Sequence, residues 1–333
     1  MPISFEGLEY TRYTFKTLKT YDTGGCRADV YLPDSSLPGP YPIALHFHGG
    51  GFTFGDTAVL QEGHQKYLLD RGFAVVSAEY RMSPHADFAA QREDWVDAYA
   101  WVVNDLGKIT GGKVDGSRVF VFGASAGGTA TLFLGVDIPG AGLPPPKALY
   151  PCYPLTNWDL LTNGSEPYSN YEEHLKSRPA DVQEAIRRLI AGPGTTGYDI
   201  GTLKSPWTPN PEIKDTPRMT WFTFVRETGM FPSAILGEDV PPSSRHVLLP
   251  LIPSNYPPTI ILNPTADTTL SPKNSTDLYD RLQKLGVESK LVTVQGMEHG
   301  EVELISEEGR AEWEIRFREI FAPALDWCIA KCQ

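Results

Sequence analysis

The stretch from Arg118 to Gly128 constrains the fold more than any other part of the sequence. It reads Arg-Val-Phe-Val-Phe-Gly-Ala-Ser-Ala-Gly-Gly, a β-branched and aromatic run followed by a serine between glycines and then by small residues. This order predicts a strand, a sharp turn and a helix, because the glycines remove Cβ atoms that would collide in so tight a bend. Such a turn lifts a hydroxyl clear of the backbone, so Ser125 is the candidate nucleophile.

Short β-like runs alternate with helix-like segments along most of the chain, which predicts an α/β fold with a mostly parallel eight-stranded sheet flanked by helices. The first two runs, on either side of Gly24-Gly25, predict an antiparallel edge. The later runs are apolar at successive positions, as strands buried on both faces require. The predicted strands are Tyr13–Leu18, Cys26–Leu32, Ile43–Phe47, Ala74–Glu79, Val119–Phe122, Ala148–Tyr150, Thr259–Leu262 and Lys290–Val294.

Three helices are predicted outside the central part of the chain. The first covers Phe88–Leu106 and has one apolar face. The second begins at Pro272 with Ser271 as its N-cap. The third covers Glu307–Lys331, and Pro323 should kink or split it.

Residues 155–256 break the alternation and are rich in proline, glycine and aromatic side chains. Only one clear helix is predicted there, Asp181–Ile190, with Asp181 and Glu184 in capping-box spacing. An excursion of this length between two core strands is too long for a bare loop. We therefore expect an inserted cap or lid at 155–256, and an α/β core formed by 1–154 and 257–333.

A glycine-rich loop follows the third predicted strand, in His46-Phe-His48-Gly49-Gly50-Gly51-Phe52. Consecutive glycines leave backbone N–H groups open to a substrate oxygen, which is what stabilisation of an oxyanion requires. His46 and His48 alternate along the chain and could face one metal ion, but no third ligand has a plausible spacing. A structural role for both histidines is therefore expected, and no metal.

The base and the acid can be found by elimination. A serine hydroxyl needs a base to take its proton, and a strand–serine–helix turn of this kind has the chain order nucleophile, acid, histidine. Of the histidines after Ser125, His174 and His246 fall in the expected cap, whereas His299 follows the last predicted strand. Asp267 follows the strand before it and is the expected acid. Glu298 is a weaker candidate because sequence neighbours rarely point at each other.

With these residues in place, the sequence resembles the hormone-sensitive-lipase-like carboxylesterase branch of the α/β-hydrolase superfamily. The resemblance covers roughly residues 25–155 and 257–330. It rests on His48-Gly-Gly-Gly-Phe52, Glu79-Tyr-Arg-Met-Ser-Pro84, Gly123-Ala-Ser-Ala-Gly-Gly128, Asp267 and His299-Gly300. It implies a Ser125–Asp267–His299 triad, an oxyanion hole from the amides of Gly50, Gly51 and Ala126, and activity without a cofactor. The family often has Asp where this chain has Glu79.

The composition limits the kinds of partner that the protein is expected to bind. A net charge of −12 argues against nucleic acid, which needs clustered Lys and Arg. No apolar run is long enough to span a membrane, and the N-terminus has no signal-peptide pattern, so a cytoplasmic location is expected. The four cysteines are then expected to be buried free thiols. The expected partner is a small hydrophobic substrate, and the sequence leaves a monomer and a homodimer both open.

Three functional hypotheses remain from the sequence. The first is a serine hydrolase that cleaves a medium-sized hydrophobic ester, lactone or aryl amide through an acyl-enzyme, in specialised metabolism. The second keeps the fold but transfers the acyl group, or catalyses a lyase or cyclase reaction. The third is a catalytically silent ligand-binding receptor, which the retention of His299 disfavours.

Overall fold

A sheet of eight strands runs through the described part of the chain. The computed structural model describes residues 8–60, 62–161, 166–197, 216–237, 247–301 and 310–333. The strands are β1 Thr11–Thr17, β2 Gly25–Tyr31, β3 Tyr41–Phe47, β4 Ala74–Ala78, β5 Val114–Ala124, β6 Leu149–Cys152, β7 Thr259–Pro264 and β8 Ser289–Val294. Each of the predicted strands is present, with bounds that differ by a few residues.

The order of the strands across the sheet is β1-β2-β4-β3-β5-β6-β7-β8. β1 pairs with β2 and β2 with β4 in antiparallel fashion, and the remaining pairs are parallel. The predicted antiparallel edge and mostly parallel sheet are confirmed. Because β3 and β5 to β8 run in the same direction, their carboxyl ends meet along one edge, where open α/β sheets bind ligands.

The helices flank this sheet and fill the insertion between β6 and β7. They are α1 Glu62–Leu69, α2 Phe88–Asn104, α3 Leu106–Ile109, α4 Ala126–Asp137, α5 Tyr171–Lys176, α6 Ala180–Ala191, α7 Pro217–Glu227, α8 Phe231–Leu236, α9 Leu248–Leu251, α10 Lys273–Lys284, α11 Arg310–Arg316 and α12 Ala322–Lys331. Within the described ranges, no helix combines the length and the apolar character needed to cross a membrane.

Two predicted helix starts are wrong by one residue each, and proline explains both. α6 begins at Ala180 with Pro179 at the N-cap position, so Asp181 lies inside the first turn and does not cap it. In the first turn its carboxylate still interacts favourably with the positive end of the helix dipole. α10 begins at Lys273, and Pro272 rather than Ser271 takes the N-cap position.

The expected break near Pro323 takes the form of a π-helical segment, Phe317–Phe321, between α11 and α12. A proline inside a helix lacks an N–H and clashes with the carbonyl four residues earlier, so the preceding turn widens. Of the predicted helix, residues 307–309 lie outside the described residues.

The insertion contains more helices than the single one predicted: α5, α7, α8 and α9 accompany α6 in its described part. They are short, and aromatic side chains obscure their periodicity. One local signal for α7 was present, because Thr216-Pro217 is a cap followed by proline at the first helical position, and the Thr216 hydroxyl accepts a hydrogen bond from Met219 N. The boundary of the cap at 155–256 stays a prediction.

Hydrophobic clusters cover both faces of the sheet. Alternate residues of β3 join opposite clusters: Ile43, Leu45 and Phe47 pack on one side and Ala44 on the other. This double burial explains why the central strands are apolar at successive positions. The four cysteines are buried and free, as expected.

His64 of α1 lies wholly inside the cluster that contains Ala44. Its ring centroid lies between 5.7 and 6.3 Å from those of Phe122, Tyr150, Phe317 and Phe321. Neither ring nitrogen has a hydrogen-bond partner in the described residues. Burial lowers the pKa of His64 from 6.5 to about 3, because an apolar shell penalises the charged imidazolium.

We expect His64→Phe to stabilise the fold, and more so in acid. The unfolded chain takes up a proton at His64 below about pH 6.5, whereas the folded chain resists it until about pH 3, so stability falls as the pH drops through this window. Phenylalanine removes that proton linkage. Urea unfolding should show that the advantage of the variant grows by about 2 kcal/mol between pH 7 and pH 5. An advantage that is the same at both pH values would contradict this account.

Candidate active site

Ser125 lies at the turn between β5 and α4, in a backbone conformation with φ 55° and ψ −120°. This is a left-handed φ that residues other than glycine rarely adopt. A Cβ on Gly123 or Gly127 would lie 2.5 or 1.9 Å from the carbonyl oxygen of Phe47. Both glycines are therefore required, because α4 starts in contact with the end of β3.

The structure brings the three predicted triad residues together. His299 Nε2 lies 3.0 Å from Ser125 Oγ, and His299 Nδ1 lies 2.7 Å from Asp267 Oδ2. Ser125 follows β5, Asp267 follows β7 and His299 follows β8, so all three occupy the carboxyl edge of the sheet. The side chains of His299 and Asp267 are only 4% and 1% exposed, which keeps competing water away from the bond between them.

Asp267 is held in one orientation by its own loop. Its Oδ1 accepts hydrogen bonds from the backbone amides of Thr269 at 2.9 Å and Leu270 at 2.7 Å. These two donors fix the carboxylate and leave Oδ2 for the imidazole. Glu298, the weaker candidate acid, places its Oε2 3.3 Å from the amide nitrogen of Thr268 and so links the loops after β7 and β8.

Tyr153 is a neighbour of the histidine that the sequence reasoning missed. It is buried directly after β6, has φ 35°, and its ring centroid lies 4.7 Å from that of His299. The tilted ring supports one side of the imidazole. Its position after a strand at the carboxyl edge was the available signal, but nothing in the sequence indicates its unusual φ.

The glycine-rich loop exposes backbone donors beside Ser125. Gly50 and Gly51 have φ 112° and 56°, and a Cβ on Gly50 would lie 2.0 Å from the carbonyl oxygen of Phe54. In the described residues, no acceptor is found for the amide N–H groups of Gly50, Gly51 and Ala126. The first two lie in the loop after β3 and the third at the start of α4, so they can point at one oxygen bound near Ser125.

The two histidines of this region contact their own surroundings. His48 stacks on Tyr80 at a centroid distance of 4.4 Å, and its Nδ1 lies 2.7 Å from Gly49 O. The Tyr80 hydroxyl donates to the carbonyl of His48. Burial lowers the pKa of His48 to about 4, so the ring is neutral near pH 7 and donates from Nδ1 to the loop. His46 Nδ1 lies 3.0 Å from Ser77 Oγ.

Aromatic side chains of the insertion lie over the glycine-rich loop. A Cβ on Gly51 would lie 2.9 Å from the ring of Phe222 and 3.8 Å from that of Phe231. The Phe222 ring packs edge-on against Phe54 and Phe231, at centroid distances of 5.1 and 5.8 Å. Trp158 lies 6.5 Å from Phe231. An apolar wall therefore adjoins the exposed amides.

Arg218 of α7 ties the insertion to the loop and was not identified from the sequence. Its side chain is buried, and Nη1 donates to the carbonyls of Thr53 at 2.9 Å and Ser83 at 2.6 Å. Thr53 in turn donates from its amide to Gly50 O and from its hydroxyl to Gly51 O. The position of α7 and the conformation of the loop are thus coupled through hydrogen bonds.

The family model that matches this chain is described as an alpha/beta hydrolase fold and covers residues 44–223, more than half of the sequence. The chain belongs to the α/β-hydrolase family, in its hormone-sensitive-lipase and carboxylesterase-like part. This confirms the resemblance inferred from the motifs, and with it the expectation of a hydrolase enzyme.

Solved structures share the fold at low identity. Carboxyl esterase 2 from the mycorrhizal fungus Tuber melanosporum is 22% identical with a TM-score of 0.55, over 94% of this chain and 86% of that one. The carboxylesterase EstE1 from a metagenomic library is 19% identical with a TM-score of 0.60, over all of this chain and 92% of that one.

Curated relatives are much longer proteins. The non-reducing polyketide synthase ascC of Acremonium egyptiacum is 30% identical over 293 residues, which cover 82% of this chain and 13% of the synthase. The synthase Preu3 of Preussia isomera is 24% identical over 334 residues, covering 92% of this chain and again 13% of the relative. The chain thus spans only a small fraction of the curated relatives that it matches.

We expect Arg218→Met to lower the free energy of unfolding by about 3 kcal/mol, because two buried carbonyls lose a charged donor. Urea denaturation would measure this. Arg187→Met is the matched control, since Arg187 is an exposed arginine of the insertion that lies 3.5 Å from an exposed Glu172 and should change stability by less than about 0.5 kcal/mol. Equal effects of the two substitutions would show that Arg218 does not anchor α7.

Proposed function

We propose that this protein is a serine hydrolase that cleaves carboxylic esters through an acyl-enzyme on Ser125. The observation that carries the proposal is the pair of contacts made by His299, one ring nitrogen at Ser125 Oγ and the other at Asp267 Oδ2. With Nδ1 protonated toward the carboxylate, Nε2 can accept the serine proton. This is the division of roles that nucleophilic catalysis by serine requires.

The reaction proceeds in two balanced halves. Ser125 Oγ forms a bond to the acyl carbon as its proton moves to His299 Nε2, and the imidazolium then gives that proton to the departing oxygen as the acyl–oxygen bond breaks. Water repeats the sequence on the acyl-enzyme and releases the acid. Asp267 holds the imidazole and stabilises its charged form throughout.

The amides of Gly50, Gly51 and Ala126, for which the described residues provide no acceptor, support an oxyanion hole. Charge develops on the acyl oxygen in both halves, and each donor aimed at it contributes on the order of 3 kcal/mol to lowering the barrier. Ser125 also precedes α4, a helix of 12 residues, whose positive end favours that charge.

The aromatic wall favours a medium-sized hydrophobic acyl or aryl substrate, such as an ester, a lactone or an aryl amide. Phe222 and Phe231 lie against Gly51, so a substrate oxygen bound by the amides places its apolar part beside these rings. The names of the curated relatives, non-reducing polyketide synthases, favour a role in specialised metabolism. A thioester would follow the same steps, since a thiolate leaves readily.

Acyl transfer is the second candidate and shares the acyl-enzyme, with an alcohol or amine in place of water. The names of the curated relatives, which are synthases, favour keeping it. Product analysis with and without added alcohol acceptors distinguishes the two. The contact of His299 with Ser125 supports turnover over the receptor hypothesis.

We expect Ser125→Ala to abolish both ester turnover and labelling by a fluorophosphonate, with kcat falling on the order of 10⁴-fold or more. Ser117→Ala is the matched control, because Ser117 lies on the same strand at the opposite end of the sheet. In a panel of p-nitrophenyl esters, hexanoate and benzoate should be preferred to short charged acyl groups. Conversion of the substrate by the Ser125 variant at an undiminished rate would contradict the covalent route.

We expect Asp267→Asn to fold normally but to lose activity by about 10⁴-fold. The two amides that contact Oδ1 will retain the asparagine carbonyl oxygen, so its NH2 group must occupy the Oδ2 position and face Nδ1. The imidazole is then forced to carry its proton on Nε2, where it cannot accept one from Ser125. Thermal unfolding and kcat would be measured together, and near-normal kcat would exclude this role for Asp267.

A further inference from the structure

The face of α7 that lies over the active-site loop carries three side chains at spacings of four residues: Arg218, Phe222 and Arg226. Residues four apart lie above one another on a helix. Arg218 is anchored to the carbonyls of Thr53 and Ser83, and Phe222 lies against Gly51. Arg226 therefore follows one turn, or about 6 Å of helix axis, beyond the aromatic ring that adjoins the exposed amides.

Arg226 is half-buried and has no carboxylate partner in the described residues. Its guanidinium carbon lies 5.4 Å from the centroid of the Phe222 ring. Burial lowers the pKa of Arg226, although a guanidinium remains charged at any physiological pH. The cation has thus given up part of its hydration, and the described residues supply no opposite charge in return.

In the described residues, the other buried or half-buried arginines each bond to an acid or to backbone carbonyls. Arg27 pairs with Glu79, Arg81 with Asp94 and Arg92 with Asp137. Arg218 and Arg281 instead donate to carbonyl oxygens. Acidic residues are in excess, 41 against 29 basic ones, so a shortage of acids does not explain why Arg226 has no acidic partner among the described residues. Desolvating a charge without a partner is costly, and an anion bound at Arg226 offsets that cost.

We propose that Arg226 binds an anionic oxygen, a carboxylate or an ionised phenol, on an aryl substrate whose ring packs against Phe222 and Phe231. This inference rests on the proposed function, because it places the acyl group at Ser125 and the aromatic part under α7. Guanidinium binds carboxylate through two parallel hydrogen bonds, and such a local cation offsets the repulsion that a net charge of −12 exerts on an anionic substrate. The substrate class is then an aromatic ester that carries one acidic group.

The kinetic test compares matched ester pairs that differ only in charge: 4-carboxyphenyl acetate and its methyl ester, and a second pair with the carboxylate on the acyl ring. Arg226→Met should lower kcat/KM at least tenfold for the acid of one pair, mainly through KM, and stay within twofold for the neutral partner. Arg178→Met is the matched control, since Arg178 also lies over a ring of the insertion, Phe224, but is paired with Glu227. Arg178→Met should leave kcat/KM unchanged for both the acid and the neutral ester.

Equal losses for acid and neutral ester would overturn the proposal and leave Arg226 as a packing residue. Equal effects of Arg226→Met and Arg178→Met on the acid would also overturn it, since they would reflect net charge alone.

A binding test keeps this inference separate from the proposed reaction. In the Ser125→Ala background, titration calorimetry with 4-hydroxybenzoate and its methyl ester measures recognition without turnover. Loss of Arg226 should weaken binding of the acid at least tenfold and leave that of the ester unchanged, and equal affinities before and after the substitution would refute anion recognition. If Ser125 is neither labelled nor needed for ester cleavage, the hydrolase proposal fails, while this titration still decides the role of Arg226.

Discussion

The close approach of α4 to the carbonyl oxygen of Phe47 is the contact on which the rest of the site depends. Phe47 ends β3, and the glycine-rich loop begins at the next residue. The same oxygen lies where a Cβ of Gly123 or Gly127 would be, so it fixes the turn that carries Ser125 as well. One packing contact between neighbouring parallel strands thus sets the exposed amides and the hydroxyl beside each other, and neither can shift without the other.

The other two residues of the proposed triad reach this point because parallel strands end at one edge. Asp267 and His299 are separated from Ser125 by well over a hundred residues, yet each comes directly after a strand of the same sheet. Chain order and strand pattern were therefore enough to predict that both would lie near Ser125. The loops then add what pattern does not encode: two amides that orient Asp267 and the Tyr153 ring beside His299.

Sequence reasoning succeeded where the structure follows a short repeat of apolar residues or a fixed local turn geometry. It failed where contacts between distant parts of the chain determine the structure. The eight strands were readable because burial on both faces leaves continuous apolar runs. The starts of α6 and α10 were misplaced because Pro179 and Pro272, and not a neighbouring polar residue, occupy the N-cap positions. The short helices of the insertion were missed, and Arg218 with them, because its partners are carbonyls of Thr53 and Ser83, far away in the sequence and invisible to side-chain pattern.

Arg218 and Arg226 of α7 show how one side-chain type can serve two different roles in an insertion. A guanidinium bonded to backbone carbonyls is satisfied by groups that folding supplies, so Arg218 contributes to holding the helix in place. A guanidinium against a ring face is stabilised only in part, and it keeps its donors available in the plane of the group. Phe222 lies between Arg218 and Arg226 along one helix face. The helix therefore holds the bonded guanidinium of Arg218 and the guanidinium of Arg226 at fixed distances from the same loop. Changes in the insertion can then alter which substrate is bound without disturbing the contact at Phe47.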